Sequence, residues 1–134
     1  MSNLDKFDET TFDMETVNSD QPVLIDFYAD WCGPCRAMSP VVESIASDLS
    51  GQLKVAKVDT DATPSLAMRY GIMSIPTLMV FHKGQVIDRL VGYPGPTTST
   101  CASGVASKIC STSRAMFPAS LYVGTTTATC IRSS

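Results

Sequence analysis

Two cysteines separated by two residues, in the run Trp31-Cys32-Gly33-Pro34-Cys35, are the side chains of this sequence whose types and spacing could do chemistry. Thiols three positions apart on a helix share a face and lie within the Cα separation that a disulfide tolerates. Such a pair can cycle between dithiol and disulfide. A thiolate at Cys32 would open a substrate disulfide, and Cys35, held close by, would displace the mixed disulfide faster than the complex dissociates. The products would be a reduced substrate and an oxidised Cys32–Cys35 pair. The same spacing also serves structural disulfides and half zinc sites. Within residues 7–96, however, there is no second closely spaced Cys or His pair, His82 is the only histidine, and Pro34 favours a compact turn over a metal knuckle. No metal is assigned to the pair.

The elements that must position the thiols are written directly around them. Residues 23–29 form an apolar run interrupted only by Asp26, as expected of a central strand covered on both faces. An amphipathic stretch follows the cysteines at once, carrying Ala37, Met38, Val41, Val42, Ile45, Ala46 and Leu49 on one stripe and stopping at Gly51. Pro40 inside it should bend the helix. Strand, turn and helix in this order put Cys32 at a helix N-terminus, where unsatisfied N–H groups and the helix dipole favour a thiolate and lower its pKa. Asp26, buried in the strand, should lose hydration and acquire a raised pKa, which suits it to moving protons. The plainer alternative is an aspartate at a strand end bonded to backbone.

Other segments complete an alternating pattern. Residues 4–7 suit a short edge strand, and Asp8-Glu9-Thr10-Thr11 suits the start of a helix that turns Phe12 and Val17 inward. Residues 53–58 read as a strand. Thr63 as cap, Pro64 in the first turn and Gly71 at the end frame a short helix with Leu66, Ala67 and Tyr70. Residues 77–81 and 86–91 flank His82-Lys83-Gly84-Gln85, the signature of an antiparallel hairpin. His82 is expected to face solvent without a role, and Met68, Met73 and Met79 to fill core. Strands alternating with helices and then a hairpin make an α/β sandwich with a mixed sheet.

On these residues the chain resembles the thioredoxin family over residues 7–96. Besides the Trp31-Cys32-Gly33-Pro34-Cys35 run, the resemblance takes in Asp26, Pro40, Lys57, Ile75-Pro76-Thr77, Gly84 and Gly92. It implies a thioredoxin-like three-layer α/β sandwich, with a mixed central sheet, flanking helices and a last helix closing one face. It implies protein-disulfide reduction, with Asp26 deprotonating Cys35 through water and Lys57 able to pair with Asp26 from the next strand. It also implies a cis Pro76, an Ile75 backbone free to pair with a substrate strand, and a flat apolar surface of Trp31, Gly33, Pro34, Gly71 and Gly92 around Cys32. The expected partners are disulfide-containing proteins and a thioredoxin reductase that carries FAD and uses NADPH. No cofactor is expected on the chain itself, which should act as a monomer.

Composition narrows the class further. With 134 residues, 44% hydrophobic, 17% charged and a net charge of −3, the chain suits one soluble domain and has no basic patch for nucleic acid. No apolar stretch approaches the roughly 20 residues of a membrane span, and the polar, acidic first residues do not read as a signal peptide. A reducing cytoplasm is the expected compartment. Residues 97–134 depart from the family: they are rich in Ser and Thr, nearly uncharged, and carry Cys101, Cys110 and Cys130 without an assigned role. Residues 1–96 are therefore read as a domain lacking a normal last helix. A weak helix is expected over 100–110, on Ala102, Val105, Ala106 and Ile109, with little fixed structure from Ser111 onward. Two rival readings remain: a redox-impaired binding module with an altered C-terminus, and a metal-binding protein using Cys32, Cys35 and the tail thiols.

Overall fold

The computed structural model describes residues 4–93. The expectations for residues 97–134, including the helix over 100–110 and the three tail cysteines, lie outside the described residues.

Within them the chain runs β1 (Asp5–Lys6), α1 (Glu9–Asn18), β2 (Val23–Tyr28), α2 (Gly33–Asp48), β3 (Lys54–Asp59), α3 (Pro64–Arg69), β4 (Thr77–His82) and β5 (Gln85–Val91). The five strands form one sheet in the order β1-β3-β2-β4-β5. Pairings β1–β3 and β2–β3 are parallel, while β2–β4 and β4–β5 are antiparallel, so the sheet is mixed and β2 is its middle strand. Every side chain of β2 is buried, which is why its sequence lacks the polar alternation of a half-exposed strand. This is the mixed-sheet α/β sandwich that the resemblance implies.

Strand alternation divides the core. Val23, Ile25 and Phe27 of β2, Ala56 and Val58 of β3, and Met79 and Phe81 of β4 join Phe7, Phe12 and Leu66 in one cluster beneath α1 and α3. Leu24, Asp26 and Tyr28 point the other way, beneath α2, whose buried side chains are Cys35, Met38, Val42 and Ile45. The hairpin turn is Lys83-Gly84, both at positive φ (50° and 78°), as a two-residue turn between right-twisted strands requires. A Cβ at Gly84 would lie 3.0 Å from Val17 Cγ2, a tight contact that Val17 would have to relieve.

Several expectations are corrected. Val17 is 54% exposed; the inward partner of Phe12 is Thr16, one turn on, whose hydroxyl donates to the Phe12 carbonyl. Five residues of helix carry Val17 about 140° away from Phe12, off the buried face. Ala37 is exposed at the edge of the α2 stripe. Thr63 occupies the N-cap position of α3 without capping it, because its hydroxyl donates to the Asp59 carbonyl. His82 is half-buried as the last residue of β4 rather than exposed in the turn. Of the three methionines assigned to the core only Met79 is there; Met68 and Met73 are exposed.

Candidate functional site

The cysteines sit where β2 ends and α2 begins. Cys32 is the N-cap of α2 with Pro34 in the first turn, and its sulfur accepts the Cys35 backbone N–H at 3.2 Å. A sulfur bearing negative charge is stabilised by that N–H and by the positive end of the helix dipole. Cys32 and Cys35 are joined as a disulfide, their Cα atoms 5.3 Å apart. Both are almost fully buried, packed with Tyr28, Ala29 and the half-buried Ile75. Of the two, Cys32 lines the groove above the disulfide.

That groove is lined by Trp31, Cys32, Gly33, Pro34, Thr60, Ile72, Met73, Ser74 and Ile75. Trp31 is exposed and held in place by its indole N–H, which donates to Asp61 Oδ2 at 2.8 Å. The Thr60 hydroxyl donates to the Tyr28 carbonyl at 3.1 Å. Of the residues expected around Cys32, Trp31, Gly33, Pro34 and Ile75 are brought together here. Gly71 and Gly92 are not part of the lining and act on its wall. Gly71 ends α3 at positive φ, its carbonyl accepting Arg89 Nη2 at 2.7 Å while Nη1 donates to the Tyr70 carbonyl at 3.3 Å. Gly92 N–H donates to the Pro76 carbonyl at 2.8 Å. The segment from Gly71 to Pro76 is thus pinned at both ends by β5. The Ile75–Pro76 peptide is cis, Pro76 is buried, and the Ile75 backbone makes no hydrogen bond among the described residues.

Asp26 lies in the middle of the sheet, fully buried, with neither carboxylate oxygen hydrogen-bonded among the described residues. It is not a strand-end aspartate satisfied by backbone. Burial pushes its pKa up from 3.8 to about 6, against the opposing pull of the Lys57 charge. Lys57 is the register neighbour of Asp26 across β2 and β3 and is itself buried. The expected ion pair does not form. Instead, the Lys57 ammonium donates to Ser39 Oγ at 2.9 Å and stands 5.1 Å from the centroid of the Tyr28 ring. Ser39 Oγ donates in turn to the Cys35 carbonyl at 3.2 Å. The long side chain carries the cation to α2, which leaves Asp26 without a hydrogen-bond partner among the described residues.

Sequence reasoning missed Thr60, Asp61, Ile72, Met73, Ser74 and Arg89. Five of these lie in loops, where burial periodicity carries no information, and Arg89 stands on an edge strand whose exposed charges look like solvation. No local signal pointed to Arg89, which lies 18 residues along the chain from the Gly71 carbonyl it binds. Among the described residues no group of three or more His, Cys, Asp or Glu could hold a metal ion, and no helix is long and apolar enough to cross a membrane.

A family model described as thioredoxin matches residues 3–100. "Thioredoxin 1" of Nostoc sp. is 53% identical over 90 residues, covering 67% of this chain and 84% of that one. "Thioredoxin" of Synechocystis sp. is 46% identical over 98 residues, covering 73% and 92%. "Bifunctional thioredoxin reductase/thioredoxin" of Mycobacterium leprae is 45% identical over 87 residues, covering 65% of this chain and 19% of its own length.

Proposed function

This chain belongs to the thioredoxin family and is a protein-disulfide oxidoreductase working by thiol–disulfide exchange, and from that premise we propose the following division of labour among its residues. Cys32 is the attacking thiolate and Cys35 the resolving thiol. The observation that carries this is the placement of Cys32 as N-cap of α2, its sulfur accepting an N–H, with Cys35 within disulfide reach one turn on.

In the forward reaction the Cys32 thiolate attacks one sulfur of the substrate disulfide, and the other leaves as a thiolate that takes up a proton. Cys35 then attacks Cys32 sulfur, its own proton passes through water to the Asp26 carboxylate, and the second substrate sulfur departs as a thiolate that takes up a proton. A carboxyl whose pKa is about 6 can take and release that proton near neutrality. Lys57 and Pro40 are supporting residues, Lys57 by tethering β3 to the cysteine helix through Ser39. Trp31, Gly33, Pro34 and Ile75 make the docking surface, where the unbonded Ile75 backbone favours a substrate strand in extended form. Gly71, Pro76 and Gly92 shape the loop behind it.

The partners in this reading are disulfide-containing proteins and an NADPH-dependent flavoprotein reductase; the name of the Mycobacterium leprae relative, joining reductase and thioredoxin, supports the second. No resident cofactor is required, and the chain is placed as a monomer in a reducing cytoplasm. Residues 1–96 carry the activity.

Reduction of insulin disulfides driven by dithiothreitol tests the assignment. Cys32→Ser should abolish catalysis, whereas Cys35→Ser should accumulate a mixed disulfide visible by mass spectrometry under non-reducing conditions. A Cys32→Ser protein that captures substrate would reverse the two roles. Zinc bound stoichiometrically to the reduced chain would favour the metal-binding reading instead.

A further inference from the structure

We propose that Met73 is an oxidation site through which hydroperoxides weaken the groove's hold on disulfide substrates, an inference that rests on the reductase reading above. Met73 is 93% exposed, the most exposed large hydrophobic side chain among the described residues, and it lines the groove beside Cys32 and Ile75. Met38 and Met79 are sealed in the core, while Met14 and Met68 are exposed but away from the groove. Met73 alone among these combines free access to solvent with a position where a substrate must dock.

An unbranched thioether suits a surface that receives many different protein segments, since it adapts its shape at little cost. The same sulfur is open to two-electron oxidation. It attacks the terminal oxygen of a hydroperoxide, an S–O bond forms as the O–O bond breaks, and with hydrogen peroxide the leaving fragment departs as water. Sulfur loses two electrons and gains one oxygen, with no net proton consumed.

The product places a polar sulfoxide among Trp31, Pro34, Ile72 and Ile75. Docked substrate would strip water from its oxygen; the Trp31 indole and the Thr60 hydroxyl are already committed, to Asp61 and to the Tyr28 carbonyl, and the free Ile75 backbone would be taken up by the docked strand. Binding should suffer and the chemistry at the thiols should not. Methionine sulfoxide reductase would reverse the effect.

The test uses the full chain with Cys32–Cys35 kept as a disulfide and the remaining thiols alkylated. After treatment with hydrogen peroxide, peptide mass spectrometry locates added oxygen, and dithiothreitol-driven insulin reduction is compared with the untreated form. The wild type should gain oxygen at Met73, and its KM should rise about tenfold at unchanged kcat, the scale expected for losing one buried apolar contact. Met73→Leu, compared with its own untreated form, should show no such change, and methionine sulfoxide reductase should restore the wild type. Equal treated-to-untreated ratios in the two proteins, or oxidation at Met14 and Met68 that spares Met73, would overturn the inference while leaving the reductase reading intact. Untreated wild type that fails to reduce insulin would overturn the reductase reading itself.

Discussion

Beneath α1 and α3 the sheet is filled by rings. Phe12 packs edge-on to Phe81 at 5.2 Å between centroids and tilted against Tyr70 at 5.4 Å and Phe27 at 6.3 Å. Beneath α2 the same strands present Asp26 and Lys57, with the buried Tyr28 hydroxyl and both Asp26 oxygens unpaired among the described residues. One face gains its stability from apolar area and aromatic geometry, the other gives some up to hold ionisable groups next to a disulfide. The lesson is a division of cost: the ring-filled face offsets the unpaired polar groups of its neighbour, since polar groups left without partners in a core are destabilising by themselves.

The comparison can be broken most strongly at its stable side. Phe12→Ala removes the hub of the ring cluster and should cost about 3–5 kcal/mol in denaturant unfolding. Insulin reduction by the fraction still folded should stay within a few-fold of wild type. A smaller loss, or activity falling faster than the folded population, would mean that the faces are not separable.

On the ionisable side, Asp26→Asn should stabilise. A carboxyl with a folded pKa of about 6 and an ordinary value of 3.8 binds protons more tightly when folded. The Asp26 contribution to stability is therefore greatest below pH 4, falls as pH rises between about 4 and 6, and stays low above, a loss of about 3 kcal/mol at full extent. The mutant should lack this slope across pH 4–6 and exceed the wild type at pH 8, while resolving mixed disulfides more slowly. Matching pH slopes in chemical denaturation would mean that Asp26 is not buried as the fold places it.

The smallest effect tests where the two sides meet. Arg89 rises from β5 on the ring face and binds the carbonyls of Tyr70 and Gly71, where α3 ends and the groove wall begins. Arg89→Gln should cost about 1 kcal/mol in stability, typical of lost hydrogen bonds at a helix end, and raise KM for insulin with little change in kcat. Arg89→Lys should recover the stability better than the KM, because one ammonium cannot span both carbonyls as the planar fork does.

What the sequence determined by itself was whatever depends on order along the chain. The spacing of Cys32 and Cys35, the apolar run around Asp26, the Pro64 and Gly71 ends of α3, and the turn at Lys83-Gly84 are local, and local sterics and periodicity are sufficient for them. Even the mistaken inward placement of Val17 came from the right helix with the wrong face. Only the tertiary structure decided what faces what across elements. Lys57 was expected at Asp26 because the strands are adjacent, yet its length carried the ammonium to Ser39 and the Tyr28 ring. Met73 was read as core from its type alone, and the loop pinned by Arg89 and Gly92 turned it to solvent at the rim of the groove. Loops carry no burial period, so their side chains are aimed by the elements that anchor them, and those anchors are distant in sequence.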